Sequence, residues 1–118
     1  MYSPQLLDHF QNPRNVGDLA PPAVTVQVSN PACGDEMRLS ARFENGTVRE
    51  ARYKVRGCTA SIAAGSALTE WMHGKTREDL AGFGAAIVEE AVGGLAPESR
   101  HAAVLCADAI KALLRAAV

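Results

Sequence analysis

Three cysteines, one aspartate and one histidine are the residues of this chain whose types and positions suit metal or sulfur chemistry. Cys33 lies in Pro31-Ala32-Cys33-Gly34-Asp35. Pro31 stiffens that loop, Gly34 removes bulk beside the thiol, and Asp35 follows two residues later. A thiolate and a carboxylate in one tight loop can both face a metal, the carboxylate being the harder and more exchangeable ligand. Taken alone, the loop describes a small buried Cys beside an ordinary turn Asp equally well. Cys58 lies in Arg56-Gly57-Cys58-Thr59-Ala60-Ser61, where a strand pattern gives way to a helix pattern. The amides of a helix N-terminus carry partial positive charge, so a sulfur anion there is stabilised. Such a thiolate can ligate metal, attack sulfur or accept a persulfide, and Gly57 permits close approach from one side. The competing reading, a packed Cys at a strand end, fits that position less well.

His101 falls just after Pro97-Glu98-Ser99-Arg100, in the first turn of the last helix pattern. It can ligate metal through either ring nitrogen, although a lone His there is also an ordinary surface residue. Cys106 sits on the apolar stripe of the same helix and reads first as core. His9, on a short amphipathic helix, and His73, beside Gly74, read as structural or solvent-exposed. There is no C-x-x-C, H-E-x-x-H, G-x-x-x-x-G-K or G-x-S-x-G in the chain, so generic zinc-finger, metalloprotease, P-loop and serine-hydrolase chemistry find no support.

The elements that must position these residues follow from periodicity. Ser3 to Phe10 reads as a helix, capped by Ser3 with Pro4 at its first position and Leu6, Leu7 and Phe10 on one face. Pro13 and Gly17 break it, and the chain to Pro21-Pro22 reads as extended loop. Three period-two segments follow: Val24, Val26, Val28; then Met37, Leu39, Ala41, Phe43; then Ala51, Tyr53, Val55. Such alternation predicts an antiparallel sheet with one buried face. Asn45-Gly46 predicts the hairpin between the second and third strands. A helix capped by Thr59 or Ser61 runs to about His73, and Gly74 ends it. Thr76 caps a short helix, a further one spans Ala85 to Val92, and Pro97 opens the last. On that last helix Leu105, Cys106, Ala109, Leu113 and Ala117 lie near one face, with Arg100, Asp108, Lys111 and Arg115 opposite. Strands followed by helices predict an α+β two-layer domain spanning residues 1–118.

Composition bounds the rest. The chain has 118 residues, 47% of them hydrophobic and 21% charged, which is globular rather than disordered. Twelve Lys and Arg against 13 Asp and Glu leave a formal charge of -1. That balance gives no electrostatic reason to expect nucleic acid or an anionic membrane as partner. No apolar run approaches the ~20 residues of a membrane helix, and the N-terminus lacks a signal-peptide pattern. A cytoplasmic setting is the expectation, and with it free thiols or metal ligation rather than disulfides. Aromatics are only 5%, so small aliphatic groups must build the core.

These residues carry a family resemblance. Tyr2-Ser3, Asp8-His9-Phe10, Asn12-Pro13-Arg14-Asn15-Val16-Gly17, Asn30-Pro31-Ala32-Cys33-Gly34-Asp35, Gly57-Cys58, Ser61-Ile62-Ala63, Thr69-Glu70-Trp71 and Asp108-Ala109-Ile110-Lys111-Ala112 occur in one order over nearly the whole chain. In order, spacing and length the chain resembles the U-type iron–sulfur cluster assembly scaffolds (the IscU/SufU family and the N-terminal domain of NifU).

The resemblance implies a three-stranded antiparallel sheet with helices packed on one face. It implies a site where three cysteines and an aspartate hold a nascent 2Fe–2S cluster or Zn²⁺. Cys33 and Asp35 match the first Cys and the Asp, Cys58 matches the second Cys, and His101 matches the residue before the third. The third Cys is replaced by Ala102. Cys106 comes one helical turn later, ~6 Å along the axis, beyond a bond of ~2.3 Å unless the helix slides. The expected ligands are therefore Cys33, Asp35, Cys58 and His101, with the part of Cys106 left open.

By resemblance, the chain is a scaffold or carrier rather than an enzyme. It assembles a transient cluster with sulfur from a cysteine desulfurase and delivers it to apo-proteins. Two alternatives stand beside this: a zinc-bound sulfur acceptor for a desulfurase, and a degenerate interaction module without a cluster. Leu95-Ala96-Pro97-Glu98-Ser99 replaces the Leu-Pro-Pro-Val-Lys segment read by an Hsp70-type chaperone, so that partner is not expected. The SufU branch carries an insertion before the last helix that this chain lacks. Tyr2 lies where the family uses a Tyr in self-association, which makes a transient homodimer an expectation.

Overall fold

The computed structural model describes residues 2–31 and 34–117. Its elements are α1 (Pro4–Gln11), β1 (Val24–Ser29), β2 (Glu36–Glu44), β3 (Thr47–Arg56), α2 (Thr59–Met72), α3 (Arg77–Ala81), α4 (Ala85–Ala91), a 3₁₀ turn (Pro97–Ser99) and α5 (His101–Ala116). The strands form one antiparallel sheet in the order β1-β2-β3, with Asn45 and Gly46 at positive φ in the predicted hairpin turn.

The sheet's buried face carries Met37, Leu39, Ala41, Ala51 and Tyr53, all 1% exposed or less. Helices α2 and α5 pack on that face. Small residues make this packing close. Ala60, Ala63, Ala64 and Leu68 of α2 meet Ala102, Leu105, Cys106 and Ala109 of α5 in a single core cluster. Gly65 lies directly over the Tyr53 ring, leaving no room for a Cβ. The Tyr53 hydroxyl donates to the Ile62 carbonyl at 2.8 Å. Burial first, and then the field of Cys106, push its phenol up to about 12, so it stays a donor at neutral pH.

The segment read as loop after α1 covers the outer edge of β3. Tyr53 N–H donates to the Asn15 carbonyl, and Gly17 N–H donates to the Tyr53 carbonyl, each at 2.9 Å. This closes part of an edge that would otherwise offer free backbone groups.

Three local expectations are corrected. First, the common face of Leu6, Leu7 and Phe10 is covered only in part: Leu6 is buried, whereas Leu7 and Phe10 are more than one-third exposed. Helix α1 lies on α2 outside the two-layer core, so only the narrow stripe of Leu6 and His9 is covered. Second, α2 is capped by Cys58, not by Thr59 or Ser61. Third, Pro97 opens a 3₁₀ turn, and the α-helix proper begins at His101.

His9 is buried because it holds α1 to α2. Its Nδ1 lies 2.8 Å from Ser66 Oγ and 3.3 Å from Arg14 Nη1. Arg14 has only donors, so Nδ1 accepts and the ring is neutral with its proton on Nε2. Burial first, and then the Arg14 charge, push His9 below its ordinary value of 6.5. The unfolded chain therefore takes up a proton that the folded chain refuses until lower pH. Stability is expected to fall as pH drops below 6.5, by about 1.4 kcal/mol per unit between the two values, and then to level off. Urea midpoints across that range measure it, and a His9→Gln chain should lose this slope.

Candidate metal centre

Sheet register builds one side of the site. Glu36 opens β2 and pairs with Arg56, which closes β3. Asp35 precedes the first and Gly57-Cys58 follow the second, so antiparallel pairing brings them to one end of the sheet. Asp35 is held there by its own loop: Asn30 N–H donates to the Asp35 carbonyl at 2.8 Å, and Gly34 N–H to the Asn30 carbonyl at 2.7 Å, with Gly34 at φ +77°. The start of α5, packed beside α2, supplies His101.

Three ligand atoms converge. Cys58 Sγ is 3.2 Å from Asp35 Oδ2 and 3.3 Å from His101 Nε2. His101 Nε2 is 3.3 Å from Asp35 Oδ2. Among the described residues this is the one group of three or more His, Cys, Asp or Glu side chains that could share a metal ion. The spacing suits a cation. Bonds of ~2.0–2.3 Å at tetrahedral angles place neighbouring donors about 3.3–3.8 Å apart, so the three atoms need part by only a few tenths of an ångström. Sulfur, imidazole nitrogen and carboxylate oxygen are the donor types of zinc sites and, with mixed ligation, of iron–sulfur sites.

Local contacts fix each donor. His101 Nδ1 donates to the Glu98 carbonyl at 3.1 Å, which leaves Nε2 as the free lone pair. That carbonyl is offered by the 3₁₀ turn, so the departure from a regular helix at Pro97 has a direct effect on the ring. Asp35 is 5% exposed. Burial alone would raise its carboxyl. Hydrogen bonds from Ser61, the Cys58 thiol and the Cys58 amide, together with the field of His101, outweigh this and hold it below its ordinary value. The Ser61 hydroxyl is the closest donor, 2.6 Å from Oδ2.

Gly57 is needed for its lack of a side chain. A Cβ there would lie 2.5 Å from Asp35 Cγ and 2.7 Å from Oδ1. Gly57→Ala is therefore expected to push the carboxylate out of line and weaken any metal binding at this cluster by on the order of tenfold or more, as displaced ligand geometry does elsewhere. Competition against a coloured chelator reads this, and unchanged affinity would show that the carboxylate finds another path.

Of the residues singled out in the sequence, Asp35, Cys58 and His101 come together. Cys33 lies outside the described residues. Ala102 and Cys106 are both fully buried. Cys106 lies within the core cluster rather than in the ligand group, and burial drives its thiol far above the ordinary range. Sequence reasoning assigned Ser61 to a helix cap and gave the Glu98 carbonyl no role. The available signal for Ser61 was its spacing: three residues after Cys58 on a helix, it faces the same way.

Fold and site together define a class, an α+β domain with a cysteine–aspartate–histidine cluster, of a kind that could hold a cation, where a sheet end meets two helix N-termini. Comparison with known proteins narrows the class. Residues 1–116 match the NifU-like N terminal domain family. The chain is 42% identical over 118 residues to the iron–sulfur cluster assembly scaffold protein IscU of Azotobacter vinelandii, covering 97% of this chain and 91% of that one. It is 39% identical over 111 residues to IscU 1 of Archaeoglobus fulgidus, covering 94% and 72%. A solved structure of a putative SUF-system scaffold from Fervidobacterium islandicum superposes with a TM-score of 0.78 at 19% identity, covering 96% of each chain, and supports the fold. The chain belongs to the NifU-like N-terminal domain family, the U-type scaffolds.

Proposed function

We propose that this chain is an iron–sulfur cluster assembly scaffold that holds a 2Fe–2S cluster transiently and passes it to apo-proteins. The observation that carries the reading is the convergence of Asp35, Cys58 and His101 within 3.3 Å of one another, in a chain of this family. Cys33, two residues before Asp35, is the proposed fourth ligand. Cys106 is not a ligand in this proposal. The cluster is cargo, and the chain has no turnover role of its own. A carboxylate and an imidazole among the ligands favour release over storage, because both exchange more readily than thiolates.

Iron and sulfide come from other components. A cysteine desulfurase is the proposed sulfur source. Cys58 is the proposed acceptor, since it stands at the N-cap position of α2, is only half-buried, and has its sulfur 3.3 Å from His101 at the start of α5. The setting is cytoplasmic in this reading. No helix among the described residues is long and apolar enough to cross a membrane.

The donor spacing also suits a tetrahedral Zn²⁺, which supports a second reading as a zinc-bound sulfur acceptor. One preparation separates the two. Iron, zinc and acid-labile sulfide are measured on protein purified without oxygen and then reconstituted, with a visible spectrum. Equal iron and sulfide with charge-transfer bands is the expected result. Stoichiometric zinc that resists replacement, without sulfide, would favour the acceptor. No metal under either condition would overturn both and leave an interaction module.

A further inference from the structure

Asp35 sits in a slot with two different walls. On one side its Oδ1 packs against the Cα of Gly57, where a Cβ would lie 2.7 Å away. On the other side Ser61 Oγ lies 2.6 Å from Oδ2. Ser61 is fully buried, and its hydroxyl is also 3.5 Å from Cys58 Sγ. The oxygen that Ser61 holds is the one that faces the other two donors, at 3.2 Å from Cys58 Sγ and 3.3 Å from His101 Nε2. A carboxylate oxygen has two in-plane lone pairs. The Ser61 hydroxyl takes one, and the other is directed at Cys58 Sγ and His101 Nε2, the side on which a cation would be shared.

Resting on the scaffold reading above, we propose that Ser61 is a positioning residue for the cargo site: its hydroxyl anchors Asp35 Oδ2 so that Asp35 presents a single oxygen to the metal. Three features require this anchor. Asp35 lies in a loop, not on a strand or helix, so its side chain needs an external tether. Gly57 blocks sideways movement only on the Oδ1 side. The Cys58 amide, at 3.4 Å from Oδ2, is too long to fix the group alone. Ser61 is set by α2, a rigid buried helix, and so transmits the helix's position to the loop ligand. Without the hydroxyl the carboxylate can turn about its Cβ–Cγ bond, binding with both oxygens or leaving the site.

Cobalt(II) is the probe, added to the full-length metal-free chain, because its d–d bands report ligand number and geometry. Wild type, Ser61→Ala, Ser61→Thr, Asp35→Ala and the double variant Asp35→Ala/Ser61→Ala are compared by titration and spectrum. Ser61→Ala is expected to lose about 10–100-fold in affinity, the range typical of outer hydrogen-bond partners, with shifted d–d bands. Ser61→Thr, which keeps the hydroxyl, is expected to stay within a few-fold of wild type. In the Asp35→Ala background, removing Ser61 is expected to change nothing further, because its effect passes through that carboxylate.

Two results overturn the inference alone: wild-type affinity and spectrum in Ser61→Ala, or an undiminished Ser61→Ala loss in the Asp35→Ala background, which would place the effect on Cys58 or on folding. Unfolding midpoints of the metal-free variants give the folding control. A wild-type chain that binds no cobalt overturns the scaffold reading as well, so the two failures are distinct.

Discussion

Cys58→Ala is expected to abolish metal retention, whereas Cys106→Ala leaves it nearly intact. The two thiols sit on different helices at different depths. Cys58 Sγ is within 3.3 Å of both Asp35 Oδ2 and His101 Nε2, so its loss leaves a carboxylate and an imidazole as the described donors. Even with Cys33, the proposed fourth ligand, only one soft donor would remain, too few to hold zinc or iron tightly. Cys106 is fully buried among Leu105, Ala109 and the α2 alanines. Its thiol is driven upward by burial, and a neutral thiol is not the species that ligates metal. Truncating it removes one buried sulfur, a cost of about 1 kcal/mol for a cavity of that size. Metal content after exhaustive dialysis, paired with thermal unfolding, gives both readouts. Equal metal loss in the two variants would mean that α5 binds in a different register when loaded, with its first turn rearranged to bring Cys106 up to the site.

Gly65→Ala is expected to destabilise the fold by about 1–3 kcal/mol, the range for overpacking a close-packed core. The sign is the informative part. In an exposed helix interior the same change would stabilise by about 1 kcal/mol, since Ala is the better helix former. Here the added methyl would meet Cδ2 and Cε2 of Tyr53 well inside van der Waals contact. Tyr53 cannot give way cheaply. Its hydroxyl is tied to the Ile62 carbonyl at 2.8 Å, and its backbone pairs with Asn15 and Gly17 at 2.9 Å. Relief must come from lifting α2 off the sheet. Because Cys58 and Ser61 move with that helix, metal affinity at the proposed site is expected to fall along with the urea midpoint. A variant as stable as wild type would show that the ring and helix part without strain.

Much of this molecule is legible in one dimension. Alternating Val24, Val26 and Val28, the Met37–Phe43 series and Asn45-Gly46 determine a half-buried meander, because strand period and hairpin turns are short-range properties. Ser3, Thr76 and Gly74 mark helix ends where the structure has them. The residue types at positions 35, 58 and 101 announce the chemistry, since few side chains hold metals. Helix α1 is less legible. Its apolar residues mark one face, yet how much of that face is covered depends on a neighbour nearly sixty positions away, as the His9–Ser66 contact shows.

Other features arise only when distant segments meet. Ser61 is a helix cap by local rules, but Asp35, 26 residues earlier, takes its hydroxyl instead. The helix starts at Thr59, so Ser61 lies inside its first turn rather than at the cap, and its hydroxyl donates to a charged acceptor at short range. The Glu36–Arg56 pairing, the 3₁₀ turn that aims His101, and the burial that removes Cys106 from the site are likewise settled by packing. The sequence by itself determined which elements form and which atoms can bind a metal, because propensity and donor chemistry belong to single residues. Only the tertiary structure decided which donors face one another, because convergence to about 3 Å is set by register and helix docking summed over the whole core.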